Sequence, residues 1–488
     1  MKNYNYNTLP IKYVLLFLTF IFISCEDIVE EDPKGLLSSS NFWNNEVNAI
    51  GAINAVYTKP LEMPAAVHGW NFWFESAGGD FGCLDTHGTG MANGTWSVSI
   101  NRVYNMWRAS YEPISLANFV LSNIKTATNI DPNLQLRIEG EASFLRAFHY
   151  FNLVRNFGDV PLILKQTEGD DDFLVTRTPV SQVYDAIISD LTLAIDQLPL
   201  KSEYSEEDLG RASKGAAQAM LAKVYLTLGD YQKTVDLTNE VMLSSVYSLE
   251  PDFKDIFTAE RDNGSEWLFS YATSGESEFS THQLAQFGFP NNLGKFGFTR
   301  AFGNIWVKQP LLDIYDQVND TRFTDMIWKE YVDPITGEVV AFRKGTGYYS
   351  KKYDDIEFSK DMLFTRINYP ILRYSDVLLM YAEALNEVSP LNDDAFNKLN
   401  MVRNRANLGD ITIAELDSQQ AFTNEVLDER RREFVNENQR VFDLKRRGLF
   451  LDFVQQLPYS QFSEEDVLYP IPQAEIDANP NLTQNPGY

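Results

Sequence analysis

Asp80 and Asp85, two carboxylates in one Gly-rich stretch, are the first residues in this 488-residue chain whose type and spacing could do chemistry. Placed on opposite sides of a sugar, such a pair can act as acid and base in glycoside hydrolysis. Carboxylates in Gly-rich loops more often cap turns or accept ligand hydroxyls, however, and the spacing alone does not fix their separation. Asp80, Cys83, Asp85 and His87 could also gather around a cation. The remaining histidines, His68, His149 and His282, complete no His-x-x-x-His pair, and no Gly-x-Ser-x-Gly elbow occurs. A zinc or serine hydrolase of familiar type is therefore not expected. The chain reads as a non-enzyme without a cofactor, with a structural calcium held by carboxylates and carbonyls left open.

A different chemistry fits the residues better. A neutral sugar presents a C–H face and a rim of hydroxyls, so its site needs exposed flat aromatics beside Asn, Asp, Gln or Arg. Aromatics make up 13% of the chain, and Trp70, Trp73, Trp96 and Trp107, four of the eight tryptophans, fall within 68–107. Trp107 shares helical spacing with Tyr104 and Tyr111 and is expected in the core. Trp96 closes Asn93-Gly94-Thr95-Trp96, which reads as a turn, and is expected as a ligand contact with Asp80 and Asn93 as polar partners. A second stretch, 287–306, sets Phe296, Phe298 and Trp306 among glycines that prevent a regular buried strand. Tyr348 and Tyr349 are weaker candidates.

The elements that must hold these loops are helical. In 134–157, Phe144, Phe148 and Phe151 share one face, Arg137, Glu139, Glu141, Arg146 and Arg155 take polar positions, and Gly158 ends the helix. Block 211–245 reads as a helical hairpin, with Ala222, Tyr225, Gly229 and Tyr231 at tetratricopeptide offsets. Block 371–406 predicts two helices joined near Ser389-Pro390, and 419–437 adds another. Repeated pairs imply a mainly α superhelix, since each pair buries its second face only on a neighbour. Repeat blocks are expected at about 103–157, 179–245 and 369–437. Loop-rich insertions are expected at about 60–102 and 250–365, the second with a hairpin pairing 326–332 with 338–343.

The first 24 residues carry Lys2, Lys12 and an apolar run too short to span a bilayer, the layout of a signal peptide. Ser24-Cys25 resembles a bacterial lipobox, which implies cleavage before Cys25 and acylation of it. Residues 25–40 then form an acidic, lipidated linker resembling the surface-export signal of Bacteroidota lipoproteins. The expected location is the outer membrane, lipid-anchored and facing outward, with 41–488 as one domain. With Cys25 acylated, only Cys83 remains, so stability must come from packing. The formal charge of -27 excludes nucleic acid as a partner.

Several motifs in order carry a family resemblance. They are Gly140-Glu141-Ala142-Ser143-Phe144-Leu145-Arg146 running into Phe157-Gly158-Asp159-Val160-Pro161, Arg211-Ala212-Ser213, and Tyr369-Pro370-Ile371-Leu372-Arg373-Tyr374-Ser375-Asp376. Further on come Asn400-Met401-Val402-Arg403-Asn404-Arg405-Ala406, Glu429-Arg430-Arg431-Arg432-Glu433-Phe434, Phe442-Asp443-Leu444-Lys445-Arg446 and Tyr469-Pro470-Ile471-Pro472. Across nearly the whole mature chain this resembles the SusD/RagB family of outer-membrane nutrient-binding lipoproteins. The resemblance implies four tetratricopeptide-like helix pairs, an elaborated ligand-binding half, and a SusC-like TonB-dependent transporter that receives the captured glycan. In the RagB branch the cargo is peptide. It also implies a stacking aromatic near Trp96 and a second ligand-lining segment at 287–306. Arg146, Arg373, Arg403, Arg430 and Glu433 are expected to pair with neighbouring helices and not with ligand. A pure protein-binding scaffold is the remaining alternative, and the aromatic loops speak against it.

Overall fold

A computed structural model describes residues 42–62, 75–83, 86–167, 174–276, 282 and 284–488. The leader, Cys25 and the acidic linker lie outside the described residues, as do Trp70, Trp73 and Asp85.

The helices run in chain order as α1 Glu46–Thr58, α2 Thr86–Asn93, α3 Asn101–Asn123, α4 Pro132–Phe157, α5 Val180–Gln197, α6 Lys214–Leu228 and α7 Tyr231–Leu243. The short helices α8 Leu284–Gly288, α9 Gln309–Leu312 and α10 Thr321–Met326 follow. After them come α11 Tyr374–Val388, α12 Asp393–Arg405, α13 Gln419–Glu433, α14 Arg440–Arg446, α15 Phe450–Val454 and α16 Gln473–Ala478. Among the described residues, eight short strands, β1 Phe81–Cys83, β2 Trp267–Tyr271, β3 Ile305–Val307, β4 Ile327–Trp328, β5 Glu330–Val332, β6 Val339–Ala341, β7 Tyr349–Ser350 and β8 Tyr369–Arg373, form two-stranded antiparallel ladders.

This is the mainly α, tetratricopeptide-like arrangement that the periodicity predicts. Successive helices pack on one another from α3 to α7; α7 then packs on α11, and α11 on α12 and α13. The segment between α7 and α11 is therefore an insertion that leaves and rejoins one continuous stack. Local chemistry sets the helix ends. The Asp131 carboxylate caps α4 by accepting from the Asn133 and Leu134 amides, with Pro132 at the first helical position. Gly158 and Gly229 close α4 and α6 at φ of 72° and 77°, where a side chain would be strained.

Helix α4 departs from the expectation of one apolar face. Nearly all of it from Ile138 onward is buried, because α3 and α5 cover it from two sides. Several of its polar residues are paired inside: Arg146 donates to both carboxylate oxygens of Asp190, at 2.8 and 2.7 Å. The predicted hairpin is present but shorter, with Tyr331 opposite Val340. Residues 327–328 pair instead with 349–350.

Candidate functional site

The ladder between β1 and β3 joins the two loop-rich insertions, with Gly82 opposite Trp306. It extends through Lys308 N–H to the Asp80 carbonyl and Val307 N–H to the Tyr348 carbonyl, each at 2.8 Å. Trp306 is half-buried, and its indole lies between two glycines. A methyl group built at Gly82 would come 2.3 Å from Trp306 Cε2, and one at Gly345 2.0 Å from Nε1. Only residues without Cβ let the ring lie flat there.

Packed against it is a hydrophobic cluster that includes Phe289, Leu293, Phe298, Tyr331 and Tyr349. Phe298 is 4% exposed, edge-on to Tyr331 at 5.3 Å. Phe296 is half-buried against Tyr331 at 5.1 Å, with the Lys295 ammonium 4.8 Å from its ring centre. Gly297, at φ 88°, turns the chain between them, so Phe298 points inward and Phe296 stays at the rim. Phe302, overlooked in the sequence, is 43% exposed and packs on Phe287. Arg300 and Gly303, both at positive φ, bracket it. Next to this surface lies a cleft of about 460 Å³ lined by Asn291, Asn292, Lys295, Arg343 and Lys344. Lys344 donates to the Gly303 carbonyl at 3.2 Å, tying the cleft to the loop before Trp306. Aromatic edges beside amides and cations suit a hydroxyl-rich ligand.

Three expected site residues are corrected. Trp96 is 8% exposed: its Nε1 donates to Tyr488 Oη at 2.7 Å, and its ring packs on Tyr469 and Phe462 at 4.9 and 5.6 Å. The turn at Gly94 forms, but the chain around 462 covers it. Asp80 is 2% exposed and committed to Arg431, whose Nε donates to it at 2.9 Å. It therefore serves neither as a ligand contact nor as half of an acid–base pair. Phe298 belongs to the core. Asn93 is half-buried and accepts from Thr95 Oγ1 at 2.8 Å, while its carbonyl accepts from the Gln461 amide. Tyr349 is also buried, at 1%. Phe296 and Trp306 keep accessible edges.

A buried ionic network fixes the insertion to the scaffold. Arg322 on α10 donates to Glu429 at 2.7 Å and Glu433 at 3.2 Å, both on α13. Arg373, at the end of β8, donates to Glu433 at 2.8 Å and Glu437 at 2.7 Å, and also to Glu266; Arg405 pairs with Glu266 and Glu433. Burial alone would raise the Glu433 carboxyl, but Arg405, Arg373 and Arg322 hold it far below the usual range. Arg403 and Arg430 likewise pair internally, with Glu425 and with Asp376 and Asp443.

Comparison with known proteins places these features in a family. Residues 325–488 match the SusD family, and 83–226 match a family described as starch-binding associating with outer membrane. The chain is 30% identical to SusD-like protein P2 of Formosa agariphila over the full length of both. It is 24% identical to the starch-binding protein SusD of Bacteroides thetaiotaomicron, over 81% of this chain and 80% of that one. Among solved structures, a SusD superfamily protein from Parabacteroides distasonis aligns at TM-score 0.81 and 26% identity, covering 93% of this chain and 100% of that one. Surface glycan-binding protein A from Bacteroides thetaiotaomicron, in complex with laminarihexaose, aligns at 0.76 and 23% identity, covering 90% and 99%, which shows the shared fold. The chain belongs to the SusD family.

Proposed function

We propose that this protein captures a neutral oligosaccharide or polysaccharide at the cell surface and passes it to a SusC-like TonB-dependent transporter, without chemical conversion. The observation that carries the reading is Trp306, held flat between Gly82 and Gly345 where the two insertions meet, beside the Asn291–Lys344 cleft. Trp306 and Phe296 supply stacking edges, and Asn93 lies on the first insertion as a polar group. Family membership supports the glycan as cargo, and the starch-binding relative and the outer-membrane description of 83–226 point the same way. Anchoring is assigned to an acylated Cys25, on the strength of the lipobox-like Ser24-Cys25. Tethering beside the transporter raises the effective concentration for hand-over, so modest affinity suffices.

Calorimetric titration of the purified chain with laminarin, starch, mannan, xylan and fructan oligosaccharides tests this, with peptides as the counter-panel. Saturable binding to one glycan class, weakened by about 1–3 kcal/mol in Trp306→Ala, is expected for a desolvated stacking ring. Binding to peptides alone would overturn it in favour of a RagB-like cargo.

A further inference from the structure

The scaffold contains a second cleft, built on the helices and not on the aromatic insertion. Helices α13, α14 and α15 enclose about 350 Å³ lined by residues including Asn424, Asp428, Arg440, Asp452, Phe453 and Gln456. Its cation, Arg440, stands apart from the arginines just before it in the chain. Arg430, Arg431 and Arg432 each grip carboxylates: Asp376 and Asp443, Asp80, and Glu425 and Glu429 respectively. Arg440 has no such partner among the described residues, and its buried Nε donates to nothing. Its stem packs at Gly78, where a methyl would come 3.1 Å from Cγ, and its guanidinium lies 4.9 Å from the Phe453 ring centre.

A half-buried guanidinium with an unmet donor is costly unless an acceptor completes it. The cleft supplies the rest of a sugar-recognition set. Asp428 and Asp452 bring carboxylates able to accept from hydroxyls, Asn424, whose Oδ1 accepts from Gln420, keeps its amide N–H groups, Gln456, whose Nε2 donates to the Asp452 carbonyl, keeps its amide oxygen, and Phe453 with the 38%-exposed Leu449 offers an apolar face. Two carboxylates against one guanidinium disfavour an anionic ligand. The position is also suggestive. Gly79 packs against Phe453, where a methyl would lie 2.8 Å from Cε1, and Gly82 packs against Trp306. Two residues, Asp80 and Phe81, separate those two glycines, so their Cα atoms lie at most about 11 Å apart.

We propose that this cleft is a second subsite, binding a neutral pyranose unit through Arg440, Asp428 and Asp452 with Phe453 beneath, and engaging the same glycan as Trp306. The inference rests on the glycan-capture reading above. A polymer occupying both stations is held more tightly than one occupying either alone.

The test uses the purified full chain with laminarin, soluble starch, mannan and xylan in affinity gels, and with their hexasaccharides by calorimetry. Arg440→Met keeps the packed stem and removes the fork, and Asp452→Asn, at an exposed carboxylate, decides the matter if Arg440→Met does not fold. The expected result is at least a threefold loss of polymer retention in either variant, exceeding its loss of hexasaccharide affinity. Trp306→Ala is expected to lose tenfold or more for both probes. Folded variants with wild-type retention would overturn the second subsite while leaving Trp306 capture standing. Wild-type silence across the glycans would overturn both.

Discussion

Trp306 occupies the space that a side chain at position 82 would fill, so the indole and Gly82 are fitted to each other across the β1–β3 ladder. The first insertion thus shapes the ring that the second one carries. Neither residue has the same meaning alone, and that pairing yields the first prediction.

Gly82→Ala should push the indole out of place. We expect glycan affinity to fall about as far as in Trp306→Ala, with a stability cost of about 1–3 kcal/mol from overpacking. Titration beside thermal unfolding separates the two effects; unchanged affinity would remove Trp306 from the binding surface.

Trp96→Ala should behave as a core deletion. A loss of about 3–5 kcal/mol in urea unfolding is expected, because the ring packs on Phe462 and Tyr469 and donates to Tyr488. Weakened glycan binding at undiminished stability would instead restore Trp96 as a contact.

Arg373→Met removes the one cation that joins all three of Glu266, Glu433 and Glu437, leaving Arg405 on the first two and Lys352 on the third. Removing one partner of a buried ionic group costs about 3–5 kcal/mol. Adding Glu433→Gln should recover part of that loss, and an additive double variant would argue against direct coupling.

His149 is 1% exposed, and neither ring nitrogen has a hydrogen-bond partner among the described residues. Burial lowers its pKa to about 3, so below about pH 6.5 the unfolded chain takes up a proton that the fold refuses. Its contribution is intact above pH 6.5 and declines as pH falls towards 3. His149→Phe should keep more of its neutral-pH stability at pH 4–5 than the parent, measured by urea midpoints; parallel pH profiles would refute this.

Much of the scaffold was legible because its signals are local. Phe144, Phe148 and Phe151 repeat at helical spacing, and Gly158 and Gly229 mark ends that the structure confirms at positive φ. The pairing of Arg146, Arg373, Arg403 and Arg430 with internal carboxylates also followed from helices packed on helices. The site was less legible because burial there is decided by distant partners. Trp96 sits in a turn with every local sign of exposure, yet Tyr488 and Phe462 cover it. Asp80 resembled a ligand contact until Arg431, 351 residues away, claimed it. Phe296 and Phe298 differ only by which side of Gly297 each falls on, a distinction that backbone geometry makes and spacing does not.

The hydrogen bond from Trp96 to Tyr488 spans 392 positions. Closing so long a loop is entropically unfavourable until nearby structure has formed, and non-local contacts are slow to assemble. The seam between the first insertion and the chain around 462–488 should therefore be the last part of the molecule to assemble. Until residue 488 is in place, Trp96, Phe462 and Tyr469 are not all sealed from water, so a partly folded chain exposes an adhesive aromatic patch.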